Sequence, residues 1–398
     1  MNTQRRSFWA ILIIGLLILG LVGCAPAQQV TEVSEAPAQQ APEAPETSAE
    51  PIRIGYHGAL SGPAASLGDM QLKGVSFAVE EINSEGGVLG RPLRLYSADN
   101  ACTPDGGVSS TRELAELQRV KALLGAGCSG PTLSSLPLLI EFGIPQVTIG
   151  STNLQITEEG NPWEFRVNAN DETFAQAFSK FIAGEVSTVS LLVLNNEYGL
   201  GSEDAFRRYL DELGVEVLGS EYFERGQADY RSALTSIKAQ NPEGLIFIGA
   251  AADGNIFFRQ FRELGMNQKV YTRGAVSAEL ADLIADDPSL AEGAKDVTYY
   301  GTGGNPEFDE RFRARWGVLP TFSAGAAYCG TVVLADAIER AGSDDSVAIR
   351  DALKTTDYDC TDILGPIKFD EKGQAKSHIY ITGMEAGKII VVDVIKDY

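Results

Sequence analysis

From residue 52 onward, short apolar runs alternate with segments of helical periodicity along almost the whole chain. RIGYHGAL reads as a buried strand, and QLKGVSFAVEEIN follows it with Leu72, Val75, Val79 and Ile82 at helical spacing. PLRLYSAD, KALLGAG and PQVTIGS read as further strands, with the helices STRELAELQRV and LSSLPLLIEFG between them. Strands that alternate with helices in this way predict a parallel sheet wrapped in helices.

The pattern restarts after EFRVNAND. Helix TFAQAFSKFIA leads into strand VSLLVLNN, helix SEDAFRRYLDELG, strand VEVLGSEYF, helix YRSALTSIKAQ, strand GLIFIGA, helix NIFFRQFRELG and strand KVYTRG. Two successive doubly wound units predict two similar lobes rather than one wide sheet, and 398 residues are enough for both. A third section from Asn305 supplies helices EFDERFRARWG, AAYCGTVVLADAIERAG and SVAIRDALKTT, then paired strands in GPIKFDEKGQ and HIYITGMEAGKIIVV.

The first residues set the expected compartment. MNTQRR is basic, FWAILIIGLLILGLVG is apolar, and Cys24 follows directly, which is the order of a secretory signal ending in a lipoprotein cleavage site. The apolar run is shorter than the roughly 20 residues that a membrane-spanning helix needs. Residues 1–23 are therefore expected to be a signal peptide, with Cys24 lipidated. Residues 24–50 are rich in Ala, Pro, Gln and Glu and lack aromatics, so they cannot bury enough apolar surface to fold and read as a tether. A formal net charge of -22 argues against nucleic acid and against electrostatic adhesion to an anionic membrane. Membrane contact is expected through the lipid anchor only.

Cys102, Cys128, Cys329 and Cys360 remain, an even number suited to an oxidising compartment. Of the three connectivities, the favoured one joins Cys102 to Cys128 and Cys329 to Cys360, because each pair closes a short local loop. Structural zinc is disfavoured, since there is no C-x-x-C and the only histidines are His57 and His378. Neither a metal nor a cofactor is expected.

GAGCSGPT, from Gly125 to Thr132, satisfies G-x-G-x-x-G, the spacing that cradles a dinucleotide pyrophosphate. A dinucleotide site also needs an acid about 20 residues further on, and PQVTIGST offers none. The stretch reads instead as a strand, a turn and a helix starting at Pro131, where free backbone N–H groups and the hydroxyls of Ser129 and Thr132 suit a carboxylate. The next strand ends at IGSTN, bringing Ser151 and Thr152 to the same carboxyl edge, where open α/β sheets bind ligands.

These residues carry a resemblance. IGYHGALSGPAASLGDMQLKGVSFAVEEINSEGGVLGRPLRL, SADNACTPDGG, GAGCSGPT and TIGSTN resemble the extracytoplasmic solute-binding proteins of ATP-driven branched-chain amino acid transporters, over nearly all of Ile52 to Val392. The resemblance implies an α/β, two-lobed type I periplasmic binding protein fold, each lobe a doubly wound parallel sheet, with three hinge crossovers. Lobe 1 would comprise residues 51–170 and 302–376, and lobe 2 residues 171–301 and 377–398. It also implies the Cys102–Cys128 bridge. Ser129, Gly150 and Thr152, with Ser151 beside them, match positions that hold the ligand's carboxylate and part of its ammonium. Tyr198 matches a second-lobe residue that closes over the ligand, and Tyr328 a tyrosine near the pocket.

The chain departs from that family at the ligand. Leu67 stands where a tyrosine is expected, Ala250 and Ala251 replace an aromatic pair, and Gly274 replaces the glutamate that pairs with the ammonium. A buried ammonium needs a counter-charge. Asp253 and Glu279 are near in sequence but read as surface acids; Arg273 reads as a loop residue that would pair with a carboxylate if turned inward. The expectation is a monomeric, lipid-anchored, extracytoplasmic binding protein that captures a branched-chain or other apolar amino acid by hinge closure and serves an ABC permease and its ATPase. A carboxylate lacking the amino group, or a ligand sensor on the same fold, is the alternative. An enzyme is not expected: neither G-x-S-x-G nor H-E-x-x-H occurs, and His57, near the cleft, reads as structural.

Overall fold

Strand β1 (Ile52–Gly58) is buried at six of its seven positions, as a central parallel strand covered by helices must be. In the computed structural model, which describes residues 50–360 and 363–396, β1 lies inside a five-stranded parallel sheet. The expectations for the signal peptide, Cys24 and all but the last residue of the tether lie outside the described residues. β2 (Leu93–Asp99), β3 (Ala122–Gly125), β4 (Gln146–Thr148) and β5 (Glu164–Arg166) complete this sheet in the order β2-β1-β3-β4-β5. Helices α1 (Ala65–Ser84), α2 (Pro104–Arg112) and α3 (Ser129–Phe142) connect its strands, and α4 (Gln155–Glu158) is a short turn before β5.

The second lobe opens with α5 (Asp171–Ala183). Its parallel strands are β6 (Thr188–Leu194), β7 (Glu216–Phe223), β8 (Gly244–Ile248), β9 (Lys269–Arg273) and β10 (Lys295–Thr298). They are linked by α6 (Glu197–Glu212), α7 (Arg231–Gln240), α8 (Ala251–Glu263) and α9 (Ala278–Leu283). The chain then returns to the first lobe with α10 (Pro306–Trp316), α11 (Phe322–Ala341), α12 (Ser346–Leu353) and the antiparallel pair β11 (Tyr358–Cys360) and β12 (Gly365–Ile367). It crosses a third time into the hairpin β13 (Ile379–Glu385) and β14 (Lys388–Ile395), which extends the second sheet to β14-β13-β10-β9-β8-β6-β7. No helix among the described residues is long and apolar enough to cross a membrane.

Both favoured disulfides form. Cys102–Cys128 ties the turn after β2 to the start of α3, and Cys329–Cys360 ties α11 to β11. Several boundaries differ from the sequence reading. α2 begins at Pro104 rather than Ser110, because Thr103 Oγ1 accepts from the Gly106 N–H and caps it despite two glycines in its first turn. α3 begins at Ser129, two residues before Pro131. β5 and β10 were not anticipated as strands: EFR and KDVT are too short and too polar to show as apolar runs.

Candidate functional site

The turn after β3 is crowded from all sides. A Cβ on Gly125, Gly127 or Gly130 would press on His57, Gln71 or Glu197 respectively, so the motif's glycines make room for this chain's own side chains. Thr132 Oγ1 donates to the Cys128 carbonyl at 3.0 Å and lies 2.6 Å from Ser151 Oγ, which donates to the Ala126 carbonyl at 2.7 Å. Those two hydroxyls are therefore spent inside lobe 1 instead of facing a ligand. Ser129 Oγ accepts from the Asn153 N–H at 3.3 Å and also stands behind the cleft wall.

The loop after β4 is held from beneath by Arg166, which is fully buried. Its Nη1 donates to the carbonyls of Asn153 at 2.7 Å and Ser151 at 3.4 Å, and its Nε donates to Gln374 Oε1 at 2.6 Å. Asn168 Nδ2 also donates to the Ser151 carbonyl, and Gln374 Nε2 to the Asn168 carbonyl. The wall that carries Gly150 and Thr152 is thus fastened to two of the chain's passages between the lobes. Across the cleft, Asn153 Nδ2 donates to the Glu197 carbonyl at 2.7 Å, and the Glu197 carboxylate lies beside Gly130 in the first turn of α3.

Between the carboxyl edges of the two sheets lies a cavity of about 60 Å³. Leu67, Gly127, Cys128, Gly150, Thr152 and Phe322 line it from lobe 1. Asn196, Tyr198, Arg225, Gly249, Ala250, Arg273, Gly274 and Tyr299 line it from lobe 2. Thr152 is buried and its Oγ1 makes no hydrogen bond of good geometry, although it stands near enough to Asp171 to favour that group's charged form. Tyr198 donates its hydroxyl to the Arg273 carbonyl at 2.6 Å, and burial raises its phenol above the ordinary value.

Arg273 is not a loop side chain in solvent. It is 3% exposed, with its guanidinium carbon 3.7 Å from the centroid of Phe174 and its Nη2 3.9 Å from Asp171 Oδ1. Neither its Nε nor its Nη2 makes a hydrogen bond. Burial raises the Asp171 carboxyl, and the Arg273 charge opposes that rise. Asp296, which accepts from Thr272 Oγ1 at 2.5 Å and the Gly274 N–H at 2.8 Å, is pushed up to about 7 by burial.

The expected acids are placed differently too. Asp253 is buried, not on the surface, and accepts from the Ala250 N–H at 3.2 Å and from Arg225 at 3.4 Å. Glu279 is half-buried in an adjoining hollow close to Ser66, and Ala251 borders that hollow rather than the main cavity. Tyr328 is corrected outright: it packs on Phe77 and Phe308 where α11 meets α1 and α10, and its hydroxyl donates to Glu81 at 2.7 Å, away from the cleft. Its helix turns that face toward the outer groove of lobe 1. His57 lies within lobe 1, with Nε2 2.8 Å from Gln146 Oε1 and Nδ1 3.3 Å from Ser110 Oγ, and burial holds its pKa down to about 4.

Two lobes with a cavity at their facing strand ends agree with the comparisons with known proteins. A family model described as periplasmic binding protein matches residues 51–388. The chain belongs to the periplasmic binding protein family. This periplasmic binding protein is 30% identical to an amino acid binding protein of Pseudomonas aeruginosa, over 82% of this chain and 88% of that one. It is 26% identical to a leucine-, isoleucine-, valine-, threonine- and alanine-binding protein of the same organism, over 83% and 88% of the two chains. Among solved structures it is similar to a leucine binding protein from Thermotoga maritima, with a TM-score of 0.79 and 25% identity, covering 87% of this chain and 99% of that one. A periplasmic binding protein works outside the cytoplasm and binds a small solute; it is not an enzyme.

Arg225, Asn196, Tyr299 and Phe322 on the cavity wall escaped the sequence reading. Arg225 and Asn196 each follow a strand end, at β7 and β6, so the rule that ligands meet strand carboxyl ends would have found them. Tyr299 follows β10, and its position stayed hidden with that strand.

Proposed function

We propose that this protein is the solute-binding component of an ABC importer, capturing a small apolar solute that bears a carboxylate. The relatives' names support a branched-chain or other apolar amino acid. The observation that carries the proposal is the cavity between two sheet edges, with Gly150 and Thr152 on one wall and Tyr198 and Gly274 on the other. Ser129 and Ser151 support the first wall from behind. A solute that touches both walls binds the closed form better than the open one, and that difference drives closure. A second reading, a carboxylate lacking the amino group, is favoured by the glycine at 274, which leaves no acid on the wall.

The same proposal takes residues 1–23 as the signal peptide, Cys24 as the lipidated residue, residues 24–50 as the tether and the protein as a monomer. Lobe 1 is taken as 51–170 with 302–376, and lobe 2 as 171–301 with 377–398. The test is calorimetric titration with leucine, valine, phenylalanine, benzoate and 4-hydroxybenzoate, with X-ray scattering to follow closure. Binding accompanied by a smaller radius of gyration is expected. Failure of the whole panel to bind would defeat the reading.

A further inference from the structure

We infer that this cleft takes its solute as an apolar or aromatic carboxylate without an ammonium group, and that Arg273 receives the carboxylate. The inference rests on the reading of the cleft as the solute site and narrows it. The charged side chains on the cavity wall are Arg225 and Arg273, and no carboxylate is among its lining residues. None of the four nearest acids lines the cavity, although Asp171 Oδ2 and Asp296 Oδ2 are buried behind it without hydrogen bonds. Asp171 accepts from Ser202 Oγ at 2.8 Å, Asp253 meets Arg225, Asp296 holds Thr272 and Gly274, and Glu279 stands by Ser66 in the adjoining hollow. An ammonium in this cavity would meet two arginines and no carboxylate on the wall, and burying it so is costly.

The two arginines differ. Arg225 already has Asp253 as a hydrogen-bonded partner. Arg273 has Asp171 at 3.9 Å without a hydrogen bond and Asp296 within electrostatic reach, and two of its nitrogens lack acceptors although the side chain is almost wholly buried. With its guanidinium carbon 3.7 Å over the Phe174 ring, Arg273 is held by an aromatic face that takes up none of its N–H donors, and a guanidinium fork suits a carboxylate. The Thr152 hydroxyl on the opposite wall likewise makes no hydrogen bond of good geometry, with Asp171 its nearest acceptor. A solute carboxylate at Arg273 would supply the acceptors those nitrogens lack, with Thr152 on the facing wall, and Tyr198, Tyr299, Phe322 and Leu67 line the rest of the cavity. Because Arg273 comes from lobe 2 and Thr152 from lobe 1, the same anion draws the lobes together.

The test is calorimetry on the full-length protein with matched pairs: leucine and 4-methylpentanoate, phenylalanine and 3-phenylpropanoate, benzoate and benzamide. The carboxylates are expected to bind about 100-fold or more tightly than the amino acids or the amide, since each of those leaves a buried charged or polar group unpaired. Arg273→Met is expected to weaken carboxylate binding about 30-fold or more, and Arg273→Lys to recover part of it. Removing Arg273 takes away the main charge that offsets the burial of Asp171, so R273M is also combined with D171N, and the carboxylate–amide comparison needs no variant. Tighter binding of the amino acids than of their deaminated counterparts overturns the absence of an ammonium. Equal binding of benzamide and benzoate, or unchanged affinity in a folded R273M, overturns the anchor. No binding anywhere in the panel overturns the reading of the cleft itself.

Discussion

Replacing Gly274 by glutamate would put a carboxylate where the wall now has none. The backbone there has φ of +89°, which costs a residue with a Cβ about 1–3 kcal/mol. The new Cβ would lie 3.2 Å from the Gly249 carbonyl oxygen and 3.4 Å from the Tyr198 hydroxyl, and Tyr198 is itself tied to the Arg273 backbone. At about 2–4 °C per kcal/mol for a protein of this size, the melting temperature should fall by roughly 2–12 °C. The larger effect is electrostatic: two carboxylates about 5 Å apart at an effective dielectric of about 20 repel by about 3 kcal/mol. Affinity for a carboxylate such as benzoate should therefore drop about 200-fold. An amino acid should bind better than it does to the parent protein, because its ammonium gains a partner. Gly274→Ala separates the two costs, with a similar fall in melting temperature and little change in affinity. Calorimetric titration beside differential scanning calorimetry reads all of this. If Gly274→Glu stays folded and binds benzoate as the parent does, the solute's charge does not sit in this cavity and the electrostatic argument is wrong.

Burial makes two groups of lobe 1 couple stability to pH with opposite signs. Glu164 is pushed up to about 8, so between its ordinary value of 4.5 and 8 the native state keeps a proton that the unfolded chain has lost. Stability from this group falls as pH rises through that window, and Glu164→Gln should remove the slope. His57 is pushed down to about 4 from 6.5, so stability falls as pH falls through that range, and His57→Gln should flatten the acid side. Urea midpoints from pH 4 to 8 that keep both slopes in the variants would refute the assignments. Removing the Cys329–Cys360 bridge, which spans a sequence separation of 31, should cost roughly 3–4 kcal/mol by loop closure and leave solute affinity intact. An unchanged urea midpoint would count against it. Tyr328→Phe should leave affinity within about twofold, because a hydroxyl bonded outside the cleft contributes nothing to binding; a tenfold loss would return Tyr328 to the site.

The alternation of apolar runs and helical segments was enough to read two doubly wound lobes, because a parallel strand covered on both faces must be apolar throughout. β5 and β10 were illegible for the opposite reason: EFR and KDVT carry charged residues inside very short strands, whereas the equally short β3 and β4 are marked by the apolar residues of KALLGAG and PQVTIGS. Gly150, Thr152 and Tyr198 lie at or just past strand ends, so their arrival at the cavity followed from topology. The burial of Arg273 did not, since it depends on Phe174, far away in sequence on α5. Asp253 was hidden likewise, because only the fold brings Arg225 to it. Tyr328 shows the limit of matching positions: the match puts it on α11 but does not say which face of that helix it occupies.

The contact between Asn153 and Glu197 is a small clasp. One hydrogen bond contributes about 0.5–1.5 kcal/mol net, and an exposed carboxylate at the end of a helix adds about 0.3–1 kcal/mol that salt erodes. A contact of that strength, taken by itself, does not hold an empty protein shut against thermal motion. Shape alone is then a poor announcement of cargo. In an importer of the proposed kind, what separates a loaded binding protein from an idle one is how long it stays shut, so its dwell time carries the message to the membrane.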